Sequence, residues 1–197
     1  MEHLSFGNFY HIYNRGINSC DIFRQRSNYE YFLELYNKHI STVADTYAWV
    51  LMKNHFHLLV KIKEEEELNS PDRVSNPVRA LDPSKQFSNL FNSYAQAFNK
   101  RYMRHGNLFE RPFKRKLVDD KEYLKYLVVY IHNNPVHHGF TQHAMDYPWS
   151  SYLTCISKKQ THLHRDEVMC WFENEDGFKN AHEKYDNEID LEKWLGI

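Results

Sequence analysis

Apolar residues recur with two different periods along the first two-thirds of this chain, and the switches between them outline a run of elements. Residues 9–15, Phe9-Tyr10-His11-Ile12-Tyr13-Asn14-Arg15, are aromatic and β-favouring and stop at Gly16, which predicts a first strand. Tyr31, Phe32, Leu35 and Tyr36 repeat at helical spacing. They predict a helix over 28–41 with Ser27 as its cap. Residues 46–52 and 55–62 read as two strands joined by a tight hairpin at Lys53-Asn54. Alternation in the second puts His55, His57 and Leu59 on one face, and Phe56, Leu58 and Val60 on the other. Ser84 is placed to cap a helix over 85–104, with Phe87, Leu90, Phe91, Tyr94, Ala95 and Phe98 on its inner side. Residues 111–118 predict a strand that Pro112 makes an edge or late-starting one. A third helix is expected over 120–134, with Pro135 as its stop.

Strand, helix, strand, strand, helix, strand, helix is the order of a split-βαβ unit. The expected fold is therefore α+β and ferredoxin-like: one antiparallel sheet with helices on one face. Residues 64–84, acidic and then rich in Pro, Ser and Asn, read as a loop insertion. The chain divides into a domain over 1–156 and an acidic helical C-terminal extension over 157–197, with 145–156 as a short added segment of the first.

Charge sharpens this picture. The 197 residues carry a formal net charge of −1, but residues 162–197 hold ten Asp/Glu against four Lys/Arg, which leaves the body basic. A basic body suits a polyanionic partner, and the acidic tail is not expected to touch it. Three cysteines, Cys20, Cys155 and Cys170, have no pairing or metal-binding spacing. With no membrane-length apolar run and no signal-peptide pattern at the start, the expected compartment is the cytoplasm, with no membrane partner.

Candidate chemistry lies in two separated motifs. His55 and His57 project from the same strand face, close enough to ligate one metal ion, although such a pair also occurs on ordinary packed sheets. Tyr130 and Asn134 stand at i and i+4 in the third predicted helix and share a face. A lone helical tyrosine is ordinarily a packing residue. Brought together, the four residues would make a metal-assisted site for cutting a phosphodiester with a tyrosine.

The segments Tyr10-His11-Ile12-Tyr13-Asn14-Arg15-Gly16, Met52-Lys53-Asn54-His55-Phe56-His57-Leu58-Leu59-Val60, Tyr130-Ile131-His132-Asn133-Asn134-Pro135-Val136 and Tyr147-Pro148-Trp149-Ser150-Ser151-Tyr152 occur in this order. Together they closely resemble the single-tyrosine HUH transposases, in particular the REP-associated tyrosine transposases, over about residues 5–155. The resemblance implies a ferredoxin-like, metal-dependent nuclease that cleaves and rejoins single-stranded DNA near hairpins. It implies Tyr130 as nucleophile, joined to a 5′ phosphate, and His55, His57 and Asn134 as ligands of Mg²⁺ or Mn²⁺. Single-stranded and hairpin DNA are the implied partners, and the chain is expected as a monomer or homodimer. The longer acidic insertion and the extension beyond 157 depart from compact family members.

Lys100, Arg101, Arg104, Arg111, Lys114, Arg115 and Lys116 face a single acid, Glu110, within 100–116, with Tyr102, Phe109 and Phe113 interleaved. Cations for phosphates and rings for unpaired bases suit a DNA groove. Arg15 and His11 are further candidates beside the first strand. An alternative is a domesticated hairpin-DNA-binding protein without transposition activity. A histidine-triad nucleotide hydrolase would need a further alternating His, but position 59 is Leu59.

Overall fold

A computed structural model of the chain describes residues 3–68 and 82–184. β1 (Phe9–Arg15) leads through α1 (Arg26–Ile40) to the hairpin of β2 (Ala44–Leu51) and β3 (His55–Ile62). A single helical turn, α2 (Glu65–Leu68), precedes α3 (Pro83–Arg101), β4 (Lys114–Val118) and α4 (Lys121–His137). Three short helices follow: α5 (Tyr152–Ile156), α6 (Arg165–Trp171) and α7 (Glu175–Glu183). The strands form one antiparallel sheet in the order β2-β3-β1-β4. Each helical crossover, β1 to β2 and β3 to β4, skips one strand, which is the split-βαβ arrangement.

Alternation on the central strands separates two apolar layers. Phe56, Leu58 and Val60 of β3 pack with Tyr10 and Ile12 of β1, and α1 and α3 cover them with Phe32, Phe87, Leu90 and Phe91. Leu59 and Tyr13 face the other way, against Leu127, Val128, Tyr130 and Ile131 of α4. The helices thus cover both faces of the sheet rather than one. β3 is buried along both its alternating sets, from Phe56 to Val60, so neither face of the sheet centre could be left to water. Val168, Phe172 and Phe178, from α6, the residue that ends it and α7, belong to the α4 layer. The segment 157–184 is therefore anchored to the core through these side chains and Leu163; 185–197 lie outside the described residues, as do 69–81 of the expected loop insertion.

Capping chemistry shifts several boundaries. α1 begins at Arg26 because Asn28, not Ser27, closes its start: the Asn28 side-chain oxygen accepts from the backbone N–H of Arg24 and Gln25. α3 starts behind Asp82, whose carboxylate accepts from the N–H of Ser84 and Lys85 at 2.9 and 3.3 Å, with Pro83 in the first turn. β4 begins only at Lys114, beyond Pro112. α4 runs through Pro135 to His137. Its stop is Gly139, at φ +70°, with Gly139 N–H donating to Val136 O (2.9 Å) and Phe140 N–H to Pro135 O (2.8 Å). That pair of bonds is a Schellman closure, which needs a left-handed residue and so favours glycine. Among the described residues no helix is long and apolar enough to cross a membrane.

Candidate active site

The turn before β3 is pinned from outside the hairpin. Gly16 N–H donates to Asn54 O at 2.8 Å, and the N–H groups of Ile22 and Phe23 donate to Lys53 O at 2.9 and 3.0 Å. The chain folds so closely here that a Cβ on Gly16 would stand 2.0 Å from the Cys20 carbonyl oxygen. Register then places His55 opposite Arg15 and His57 opposite Tyr13 of β1. α4 crosses this face and carries Tyr130 and Asn134 to it. Asn134 Oδ1 lies 2.9 Å from His55 Nε2, and the Tyr130 ring stands edge-on to His57 with centroids 5.5 Å apart. The four residues predicted from two distant motifs therefore meet. His55, His57 and Tyr130 line one cavity of about 240 Å³ together with Tyr13 and His138. Tyr130 is only 2% exposed, in the wall of that cavity.

The histidines are neutral at physiological pH. Burial pushes His55 down to about 4, against the Asn134 hydrogen bond that raises it. His57 is held well below the ordinary imidazole range by burial and then by its neighbour His11, and His11 is pushed down to about 3 by burial and then Lys116. Neutral imidazole is the ligating form. His55 has a second amide oxygen at its other nitrogen: Asn54 Oδ1 lies 2.7 Å from Nδ1. A neutral ring donates through one nitrogen only. With the proton on Nδ1 toward Asn54, the Nε2 lone pair and the Asn134 oxygen converge as two acceptors 2.9 Å apart. Two ligands at right angles on an ion with bonds of about 2.1 Å would be about 3.0 Å apart, so this edge fits a small divalent cation. His57 Nδ1 is 3.0 Å from His11 Nε2. A proton held there by His57 would leave its Nε2 able to ligate and would put the His11 proton on Nδ1, which is buried without a hydrogen-bond partner among the described residues. Among the described residues no group of three or more His, Cys, Asp or Glu could hold a metal ion. The possible donor set is two imidazoles and an amide, which would leave the remaining positions to water or phosphate oxygens.

No family model matches the chain. A Haemophilus influenzae protein provisionally named a REP-associated tyrosine transposase is 27% identical over 110 residues, which are 55% of this chain and 58% of that protein. The chain thus matches a little over half the length of this curated relative. A solved structure, of a REP-associated tyrosine transposase bound to a REP hairpin, superposes with a TM-score of 0.56 at 15% identity. The superposition covers 80% of this chain and 84% of that one. The chain is similar to REP-associated tyrosine transposases in sequence and in fold.

The basic residues fall on both faces of the sheet. Arg15 and Lys114 line the cavity that holds His55, His57 and Tyr130, and Glu110 stands with them. Lys114 and Lys116 pair with Tyr13 and His11 on β1, whereas Arg115 pairs with Ile12 and so projects from the opposite face. There Arg115 donates to Ser84 Oγ at 3.0 Å and lies 4.1 Å over the Phe113 ring, and with Arg111 it lines a cleft beside α3 that shares Asn14 and Glu110 with the histidine cavity. Lys100 and Arg101 line a further hollow beside Tyr31, and Arg104 donates to Asn99 Oδ1 at 3.2 Å. His11, a candidate DNA contact by sequence, is fully buried behind His57 and supports that ring instead. Its role was readable from register, because it alternates with Tyr13 on the strand beside β3. His138 was hidden, lying beyond the expected stop at Pro135.

Proposed function

We propose that this protein is a metal-dependent DNA strand-transferase that cleaves and rejoins single-stranded DNA next to a hairpin through Tyr130. The convergence of His55, His57, Tyr130 and Asn134 from two motifs, with His55 and Tyr130 75 residues apart in the chain, carries this reading. The hairpin complex of the structural relative supports the DNA class. In the reaction the Tyr130 hydroxyl oxygen attacks the scissile phosphorus and the bond to the 3′ oxygen breaks. The tyrosine gives up its proton and the departing 3′ oxygen gains one, so charge and atoms balance. The product is a 5′-phosphotyrosine and a free 3′ hydroxyl, and the retained ester energy lets a second 3′ hydroxyl reverse the step without ATP. A divalent cation, Mg²⁺ or Mn²⁺, on His55, His57 and Asn134 would neutralise a non-bridging phosphate oxygen. Arg15 and Lys114 hold the flanking phosphates at the cavity rim.

The test uses single strands carrying a hairpin and its flanks, taken from the DNA bordering the gene, incubated with Mg²⁺ or Mn²⁺ and resolved for a covalent adduct. Wild type should form the adduct. Tyr130→Phe should bind the hairpin equally well and form none, because only the hydroxyl is removed. An adduct at near wild-type rate in that variant would move the chemistry to another tyrosine, Tyr126 first. Tight hairpin binding by wild type with no adduct would leave a DNA-binding protein without strand transfer.

A further inference from the structure

A second buried polar chain runs through the α4 layer, away from the cavity. His182 Nδ1 is 2.7 Å from the Phe178 carbonyl oxygen, and His182 Nε2 is 2.9 Å from His132 Nδ1. His132 Nε2 is 2.7 Å from Ser151 Oγ, which lies 2.8 Å from Trp49 N. The two ends fix the direction of every bond between them. The Phe178 carbonyl can only accept, so His182 carries its proton on Nδ1 and offers Nε2 as acceptor. His132 must then donate through Nδ1 and accept through Nε2, so the Ser151 hydroxyl donates to it. This 2.7 Å contact prevails over the 3.3 Å contact from Ser151 Oγ to Trp49 O. The Trp49 N–H, which can only donate, closes the chain at Ser151. Each link is satisfied in one tautomeric state, and burial keeps both rings neutral. A buried polar network so completed specifies one arrangement, since breaking any link strands a buried polar atom.

Of the elements it joins, α4 carries Tyr130 and Asn134, and β2 is the neighbour of the strand that carries His55 and His57. His132 stands in α4 two residues from both Tyr130 and Asn134. At 3.6 residues per turn it leaves the helix on roughly the opposite side from them. Asn133 reinforces the grip, its Nδ2 donating to His182 O at 3.3 Å. Trp49 lies in β2 beside Val50, the residue paired with His57. The chain of bonds thus ties the back of α4 to the strand next to the one bearing both metal-site histidines.

We propose that His182 and Ser151 are positioning residues, through which α7 sets the rotation of α4 and brings Tyr130 and Asn134 into register with His55 and His57. This rests on the reading of Tyr130 as nucleophile. The test compares His182→Ala, Ser151→Ala and His182→Gln with wild type, at a temperature below every melting transition. Gln retains an acceptor for His132 and a donor for Phe178 O. Three quantities are read: hairpin affinity, Mn²⁺ affinity, and the rate of adduct formation at saturating hairpin substrate. His182→Ala should bind hairpin within about threefold of wild type, bind Mn²⁺ severalfold more weakly, and form adduct at least tenfold more slowly. His182→Gln should recover most of both losses. If His182→Ala does not fold, Ser151→Ala, which removes a single hydroxyl, should show the same split. A folded alanine variant with wild-type rate and Mn²⁺ affinity would overturn the proposal, as would Gln and Ala variants that are equally slow. Absence of adduct in wild type would sink the nucleophile reading alone, since displacement of Asn134 is still read by Mn²⁺ affinity.

Discussion

At the scale of single residues, burial rather than hydrogen bonding decides the protonation of the candidate site. The Asn134 oxygen beside His55 favours the charged form of the ring, yet burial still pushes it to about 4. An exposed imidazole near its ordinary value of about 6.5 would be mostly protonated at pH 6 and would compete with a metal there. Two such rings would lose more than about tenfold in Mn²⁺ affinity between pH 8 and pH 6. His55 and His57, already neutral across that window, should lose less than about twofold. Titration of Mn²⁺ at the two pH values, with the His55→Ala, His57→Ala double variant as the background, separates the two outcomes. A tenfold fall confined to the site would mean that the rings are wet and ordinary.

At the scale of elements, β4 distributes its cations by alternation, and this determines which of them can act at the cavity. Lys114 lies at the rim with Arg15, while Arg115 is committed to Ser84 and Phe113 on the opposite face. Each phosphate contact to a single strand contributes about 0.7 to the slope of log affinity against log salt. Replacing Arg15 and Lys114 together by Ala should therefore flatten the slope by about 1.4 and weaken binding, whereas Arg115→Ala should leave it near the wild-type value. Equal slopes in the two variants, measured by anisotropy across a salt series, would place the strand along the α3 cleft instead. Much of this architecture was legible. The period-2 pattern of 55–62 put both histidines on one face, and the helical spacing of Tyr130 and Asn134 put both on the side that meets them. What was not legible depended on competition or distance. Pro135 is a strong stop signal, but one lost hydrogen bond in a last turn is outweighed by the Gly139 closure four residues on. The grouping of 100–116 as one basic stretch overlooked that a strand sends neighbours to opposite faces. His182 is fifty residues from His132 in sequence, and no local pattern announces their contact. The acidic character of the tail likewise concealed Val168, Phe172 and Phe178, which make α6 and α7 part of the core.

At the scale of the whole molecule, four buried histidines and the half-buried His55 are held neutral in two clusters, and this sets how the fold responds to acid. His11 is held at about 3, His55 and His182 at about 4, and His57 and His132 well below the ordinary range, in each case chiefly by burial. In the unfolded chain the same rings take up protons near pH 6.5. Between that value and their folded values the unfolded state binds more protons, so stability rises with pH across the window and falls on acidification. Above about pH 7 both states are neutral at these positions and the contribution is flat. Charging His182 alone within the fold would cost about 3 kcal/mol. Two or three such terms are of the order of a domain's entire stability, about 5–15 kcal/mol. The metal-free protein should therefore hold near-constant stability from pH 8 to 7, lose several kcal/mol by pH 5, and unfold before its buried rings protonate in place. Because several protons enter together, the acid transition should be steep, taking up more than one proton per molecule. Urea titrations at half-unit pH steps in the presence of chelator measure this directly. His182→Gln, which removes one titrating ring while keeping its hydrogen bonds, should make the dependence shallower by about one proton below pH 6. Wild-type stability unchanged from pH 7 to 5 would show that the rings reach water in the folded state.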